Sequence, residues 1–268
     1  MGFLRHFLLA VQFFTRIPVT GRIAHWVGFS PAMLRASAAH FPGVGWLVAA
    51  SAIAVYYALT AALTTTALSP LVAAVFSTVA TILLTGGFHE DGLADVADGL
   101  GGSLDRERAL DIMKDSRVGA FGAMALSMAL MAKVTLLATL GAQGVQAVVA
   151  CLAAGHVLSR FLPLLLVRAL PHVGDTATSK SKPLADQISV GSLACAALWC
   201  VPPLVLFIRL EGAPALALAA IASGLAFLWM WRLFARRLQG FTGDCLGATQ
   251  QVCEIAFYLG AALAPGLQ

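Results

Sequence analysis

Apolar runs about twenty residues long are the feature that most restricts the fold of this chain. Six such runs follow one another, at residues 44–64, 70–88, 119–141, 145–167, 190–208 and 213–234, and the last apolar segment, 249–267, is either a seventh span or a half-span. Only 11% of the residues are charged, against roughly 25% in soluble domains. Each run is long enough to cross a bilayer as a helix. The sequence therefore predicts an all-α, polytopic membrane bundle of about six to seven transmembrane helices, forming one domain over residues 1–268.

The N-terminal segment is apolar but too short to be a clear span. Residues 3–17 carry Arg5, His6 and Arg16 among apolar side chains. This pattern predicts a helix lying in the membrane interface, and a truncated span is the alternative. Residues 18–43, which contain three prolines, are predicted to be a loop or a re-entrant segment.

Basic residues orient the predicted bundle. Outside the spans, fourteen lysines and arginines fall on one side and only Arg209 falls on the other. By the positive-inside rule, the first side faces the cytoplasm. It holds the N-terminus and the segments 90–118, 168–189 and 235–248. We therefore expect a multi-pass membrane protein in contact with lipids, and the scattered basic residues give no indication of nucleic-acid binding.

The acidic residues are concentrated in one place. The segment 85–102 reads TGGFHEDGLADVADGLGG, and eight of the 13 acidic residues of the chain lie between Glu90 and Asp115. Asp91, Asp95 and Asp98 have a spacing that places all three on one face of a helix. Stacked carboxylates repel one another unless a cation lies between them, and hard oxygen ligands suit Mg²⁺. The sequence predicts a magnesium site, with a solvated acidic loop as the alternative.

A second motif follows directly, DIMKDSRVGAFG at 111–122. Lys114 and Arg117 are candidate phosphate donors. Gly119 and Gly122 open the next predicted helix, whose first N–H groups and positive dipole end favour an anion. The alternative is an ordinary cytoplasmic loop with a glycine helix start.

Two basic residues, Lys133 and Arg160, lie inside predicted spans. A charge at such a depth faces a partner or a polar cavity. Lys133 is predicted either to pair with a carboxylate such as Glu254 or to take part in a cation relay. Arg160 is either a phosphate clamp or part of a structural ion pair.

The last motif is GFTGDCLGATQQVCE at 240–254. As a helix, it places a polar stripe on one face, formed by Asp244, Gly247, Gln251 and Glu254. A polar stripe that enters an apolar segment must face the protein interior. We expect Glu254 to face the same cavity as the aspartates; the alternative is a structural pair with Lys133. A simple helix cap by Thr242 or Asp244 would explain only the first residues.

Together these motifs resemble the cobalamin (5′-phosphate) synthase family, the adenosylcobinamide-GDP ribazoletransferases. The likeness covers nearly the full length and includes FFTRIPV at 13–19, HFPGVGWL at 40–47, SRFLPL at 159–164 and the three motifs above. Some relatives carry a Tyr-Ala-Arg element after the fourth span, where this chain has LPHVGDTATSKSKPL. Lys180 and Lys182 are the candidate replacements for that charge.

The resemblance implies a Mg²⁺-dependent phosphotransferase of the bacterial inner membrane, with its active site facing the cytoplasm. Such an enzyme joins adenosylcobinamide-GDP to α-ribazole or its 5′-phosphate and releases GMP. Phosphoryl transfer depends mainly on positioning and charge neutralisation. The aspartate row would hold Mg²⁺, His89 or Glu90 would accept the proton of the attacking hydroxyl, and basic residues would stabilise the leaving group. The candidates for that last role are Lys114, Arg117 and Arg160, and the substrate-binding set adds Lys180, Lys182, Gly119, Gly122, Asp244, Gln251 and Glu254.

Two other functions fit parts of the sequence. A transporter could use Asp91, Asp95, Lys133 and Glu254 as a proton or cation relay. A magnesium-dependent phosphotransferase of the CDP-alcohol type would also place aspartates at the ends of membrane helices. The sequence leaves the oligomeric state open, and both homo-oligomers and complexes with other corrinoid-assembly enzymes are compatible with it.

Overall fold

The fold is built from helices, as the apolar periodicity predicts. The structure, a computed structural model, describes residues 2–174 and 187–264. Apart from one isolated bridge between His172 and Phe241, the regular elements of this described part are one 3₁₀ turn, Ala38–His40, and twelve α-helices. These are α1 Gly2–Phe14, α2 Gly21–Val27, α3 Pro31–Ser37, α4 Phe41–Ala62, α5 Ser69–Thr85, α6 Phe88–Gly102, α7 Arg106–Met113, α8 Ala120–Gln143, α9 Val145–Ala169, α10 Val190–Glu211, α11 Ala213–Arg237 and α12 Gly243–Leu263.

Five stretches of the described chain are long and apolar enough to cross a membrane, and α5 with α6 adds a sixth if counted as one bent span. The bounds of α4, α5, α8, α9, α10 and α11 lie within three residues of the six predicted spans, and the result confirms an all-α, multi-pass architecture. Helix α12, which contains the described part of the last predicted segment, is not among these stretches. Its first half carries the polar side chains of Asp244, Gln250, Gln251 and Glu254, which lower its hydropathy.

Helix α9 forms the centre of the bundle. Its most apolar window is 72% buried, against 17% in α8 and 22% in α10 and α11. Small residues let neighbouring backbones approach it closely. A Cβ at Gly45 of α4 would lie 2.7 Å from the carbonyl oxygen of His156. A Cβ at Gly155 would meet the ring of Tyr258 at 2.5 Å, so α4 and α12 both pack directly on α9.

A sharp turn separates α5 from α6. Gly86 and Gly87 are both left-handed, with φ of +73° and +72°, a conformation that costs glycine little and other residues more. The two helix axes meet at 90°. Because α6 leaves the direction of α5 so abruptly, we treat α5 as the crossing helix and α6 as lying outside the span. The acidic motif is helical, as its spacing predicts.

Arginines hold the far end of α6 in place. Arg237 donates to the carbonyls of Leu100 and Ser103 at 3.3 and 2.6 Å. Arg106 donates through Nε to the carbonyl of Leu238 at 2.7 Å. All three carbonyls lie at helix ends, where carbonyls have no partner within the helix. These contacts connect α6 and α7 to the end of α11.

Candidate active site

A large cavity beside the acidic motif has a volume of about 850 Å³. It lies between the end of α1, the α5–α6 turn and α8. The polar side chains among its described lining residues are Gln12, Thr15, Arg16, Thr85, Glu90 and Asp91. Its size falls within the usual range for small-molecule sites.

The three predicted metal ligands occupy different environments. Asp91 is exposed at the cavity, Asp95 is half-buried and Asp98 is buried. Asp98 accepts hydrogen bonds from the N–H groups of Gly119 and Gly122 at 2.7 and 2.8 Å. Its carboxylate thus caps the N-terminus of α8, where the helix dipole favours an anion. The expectation that these two N–H groups are open to a substrate phosphate is therefore wrong, because Asp98 already uses them.

A fourth carboxylate joins the row from α12. At Gly92, a Cβ would lie 2.7 Å from the carbonyl oxygen of Asp244, so α6 and α12 touch there through backbone. Burial, followed by the nearby charges of Asp244, Asp91 and Asp98, raises the pKa of Asp95 to about 7. Such crowding is relieved when a cation lies between the carboxylates.

These carboxylates do not enclose a metal by themselves. Among the described residues, no three His, Cys, Asp or Glu side chains converge as a ready-made metal site. Mg²⁺ commonly takes only one or two protein carboxylates and completes its shell with water and substrate phosphates. Asp91 and Asp95 therefore suit an open Mg²⁺ site with few protein ligands better than a site enclosed by protein ligands.

The two candidate bases point in different directions. The ring of His89 stacks on Phe41, with centroids 5.6 Å apart and planes 9° apart. It lines a separate, largely apolar void of about 30 Å³. Glu90 instead lines the large cavity. Its Oε1 accepts from Nε2 of Gln251 at 3.0 Å, and its Oε2 has no hydrogen-bond partner among the described residues.

Lys114 and Arg117 lie in the connection between α7 and α8, and neither is among the described lining residues of the large cavity. Arg117 is exposed and pairs with Asp115 at 2.5 Å. Its hydrogen bonds lower the pKa of Asp115 to about 2. Lys114 lies 3.5 Å from Asp111. The structure thus does not bring these two predicted catalytic residues to the cavity.

Glu254 lies at the centre of a buried polar cluster. Its Oε1 is 2.5 Å from Nζ of Lys133 and accepts from the hydroxyl of Tyr258 at 3.1 Å. Its Oε2 lies 3.0 Å from Nδ1 of His156 and 2.5 Å from Nε2 of Gln250. Of the two alternatives for Glu254, the contact with Lys133 supports the structural ion pair. A transporter relay through Lys133 and Glu254 would require both side chains to be accessible, but they are only 2% and 1% exposed.

Arg160 belongs to the same buried region. It is 2% exposed and donates to the carbonyl of His156 at 2.8 Å. Its guanidinium carbon lies 5.8 Å from the centre of the Phe41 ring. Arg160 is not among the described lining residues of the large cavity. This geometry favours the structural alternative over the phosphate clamp.

The polar stripe of α12 connects this cluster to the cavity. Gln250 donates to Glu254, Gln251 donates to Gln250 at 2.9 Å, and Gln251 also donates to Glu90. The stripe faces the interior, as predicted. Gly247 packs against the backbone of His89. Thr242 also caps α12, since its hydroxyl accepts from the N–H of Cys245 at 3.4 Å.

Sequence reasoning missed Arg16, whose only signal is a basic residue at the end of an apolar run. Arg16 lines the cavity that contains Glu90 and Asp91. The predicted substrate-binding residues Lys180 and Lys182 lie outside the described residues.

Comparisons with known proteins agree with the motifs. The sequence profile described as cobalamin-5-phosphate synthase matches residues 6–262. A protein of Polaromonas sp., named adenosylcobinamide-GDP ribazoletransferase, is 64% identical over 97% of each chain. Proteins of the same name from Polaromonas naphthalenivorans and Albidiferax ferrireducens are 63% and 61% identical, over at least 97% of each chain. No solved structure is detectably similar. The chain belongs to the cobalamin-5-phosphate synthase family.

Proposed function

We propose that this chain transfers the adenosylcobinamide phosphate group from adenosylcobinamide-GDP to α-ribazole or its 5′-phosphate, with release of GMP. The observation that carries the proposal is the identity of 61 to 64% to ribazoletransferases over nearly the whole chain. The cavity with carboxylates at one wall gives this transferase a place for phosphoryl chemistry.

The carboxylates of Asp91 and Asp95 would hold Mg²⁺, with Asp98 fixing α6 to the start of α8 behind them. The raised pKa of Asp95 and the exposure of Asp91 fit a row that accepts a cation. When bound, the ion would neutralise charge on the diphosphate oxygens.

The chemical step is the replacement of one P–O bond by another. The ribazole hydroxyl attacks the phosphorus that carries the cobinamide, and the P–O bond to GMP breaks. GMP leaves with the bridging oxygen. The proton of the hydroxyl passes to the carboxylate of Glu90, which lines the cavity and is held through Oε1 by Gln251. His89 is less suited to this role, because its ring is stacked in the small apolar void.

We also place the protein in the bacterial inner membrane with the cavity facing the cytoplasm. The charge asymmetry of the loops supports this orientation. The cavity opens beside the end of α1 and the α5–α6 turn, which are on the predicted cytoplasmic side.

The decisive experiment is turnover by purified protein in detergent. We expect GMP release from adenosylcobinamide-GDP only when α-ribazole or its 5′-phosphate and Mg²⁺ are both present. Asp111→Asn, which changes an exposed carboxylate outside the cavity lining, is the matched control and should retain activity. Absence of GMP release with either acceptor in excess Mg²⁺ would contradict the proposal.

A further inference from the structure

The large cavity contains one cationic side chain among its described lining residues, and that side chain belongs to Arg16. The described structure records no ion pair for Arg16 within 4.0 Å, although Glu90 and Asp91 line the same cavity. The cavity therefore has among its described lining residues both carboxylates and the exposed side chain of Arg16, which forms no ion pair with them.

Several contacts fix Arg16 in this position. The hydroxyl of Thr15 bonds the carbonyl of Val11 at 2.7 Å and accepts from the N–H of Ile17 at 3.1 Å, which ends α1. The N–H of Arg16 donates to the carbonyl of Leu84 at 2.7 Å. These contacts attach the end of α1 to the end of α5 and place the backbone of Arg16 beside the α5–α6 turn.

The guanidinium lies directly against this turn. A Cβ at Gly86 would be 2.2 Å from Nε of Arg16, and the left-handed φ of +73° at Gly86 favours glycine there. Gly87, the N-cap of α6, offers no side chain to bond the first N–H groups of the helix. Both glycines line the cavity. The positive end of α6 and Arg16 thus face the same space, and a planar guanidinium can bind phosphate oxygens through two parallel hydrogen bonds.

We infer that Arg16 binds a phosphate group of a substrate in this cavity. The inference rests on the proposed function, which supplies two phosphate sources: the diphosphate of adenosylcobinamide-GDP and the 5′-phosphate of the ribazole acceptor. Lys114 and Arg117, the cations that the sequence predicts for this role, are not among the described lining of the cavity.

The test compares Arg16→Gln with Arg16→Lys and with Arg22→Gln, a matched control on the exposed surface of α2. Loss of a charge-assisted hydrogen bond should reduce kcat/KM about 10- to 100-fold in Arg16→Gln. Arg16→Lys should recover part of that loss, since lysine keeps the charge and lacks the paired donors. Arg22→Gln should behave as wild type.

Two acceptors separate the phosphate sources. If Arg16 binds the donor diphosphate, Arg16→Gln raises the KM for adenosylcobinamide-GDP with either acceptor. If it binds the acceptor phosphate, the variant raises the KM for α-ribazole 5′-phosphate and leaves the KM for α-ribazole unchanged. Either pattern supports a phosphate site at Arg16.

Two outcomes overturn the inference while the wild type remains active. One is unchanged KM and kcat in Arg16→Gln with all substrates. The other is a lower melting temperature in both Arg16 variants with unchanged KM values, which would make Arg16 a structural residue. A wild-type protein that releases no GMP would instead contradict the proposed function. In that case, the melting temperature is measured with and without GDP. A rise with GDP in the wild type and in Arg22→Gln, but not in Arg16→Gln, would still support the phosphate site. Equal rises in all three proteins would overturn it.

Discussion

Nζ of Lys133 in α8 lies 2.5 Å from Oε1 of Glu254 in α12, and the two side chains are 2% and 1% exposed. The pair joins two helices at a depth where an unpaired charge is expensive. Tyr258, His156 and Gln250 complete the hydrogen bonding of the carboxylate. A buried ion pair is tolerated when its remaining polar atoms are satisfied in this way. The pair therefore contributes to holding the bundle together rather than to the cavity.

Glu254→Gln should lower the melting temperature in detergent, because it leaves the Lys133 ammonium buried and unpaired. Breaking such a pair costs about 3–5 kcal/mol. The double variant Glu254→Gln with Lys133→Met should recover part of the loss, since it removes the orphaned charge. Thermal unfolding of the purified variants measures both effects.

The control for this pair is Glu107→Gln, which removes an exposed partner of Arg106. Exposed pairs contribute about 0–1 kcal/mol, so its melting temperature should hardly change. Loss of turnover in Glu254→Gln with an unchanged melting temperature would show that Glu254 acts at the site instead.

Asp91→Asn and Asp95→Asn should each remove most turnover and leave the protein folded. Each change takes one negative charge from a crowded row, so the melting temperature should hold or rise. Turnover measured across a Mg²⁺ titration tests the metal role. Wild-type turnover of Asp95→Asn at limiting Mg²⁺ would remove this carboxylate from the metal site.

Asp98 should behave differently from its two neighbours. Asp98→Ala removes the acceptor of two N–H groups at the start of α8, and loss of a helix N-cap costs about 0.5–2 kcal/mol. We expect a lower melting temperature together with lower turnover. A melting temperature equal to that of Asp91→Asn would contradict the capping role.

The sequence predicted those features that depend on local periodicity. Apolar runs located the spans, and the spacing of Asp91, Asp95 and Asp98 predicted their shared helix, because both patterns repeat along a single element. The polar stripe of α12 was predicted on the same basis, from the requirement that such a stripe face inward.

Features that depend on contacts between elements could not be predicted. Asp98 meets Gly119 and Gly122 only because α6 packs against the start of α8. His89 and Glu90 are adjacent in sequence but lie in different surroundings. Because of how α6 packs on α4 and α12, the His89 ring stacks on Phe41 and the Glu90 side chain lines the cavity. In the sequence, Arg16 is indistinguishable from the other basic residues of the predicted cytoplasmic side. Its place in the cavity depends on the packing of the end of α1 beside the α5–α6 turn.

The orientation of the bundle can be tested by labelling single cysteines in a variant lacking the five native ones. Leu104, which is 90% exposed in the connection after α6, should react with an impermeant reagent only after cells are permeabilised. A cysteine at Thr65, in the exposed connection between α4 and α5, should react on intact cells. The opposite pattern would reverse the predicted topology.

The choice between the two candidate bases gives the sharpest test of the site. Glu90→Gln keeps the shape of the side chain and removes its ability to take the proton, so turnover should fall by about 10²–10⁴-fold, the usual range for general-base loss. His89→Phe should retain most activity, because a phenyl ring can preserve the stacking on Phe41 in a largely apolar void. The measurement is single-turnover GMP release at saturating substrates, with melting temperatures recorded to confirm folding.

The opposite result would assign the base role to His89. That result is a large loss of turnover in His89→Phe with an unchanged melting temperature, together with an active Glu90→Gln. That result would also require His89 to leave its stack during turnover, since its ring as placed lines the small void.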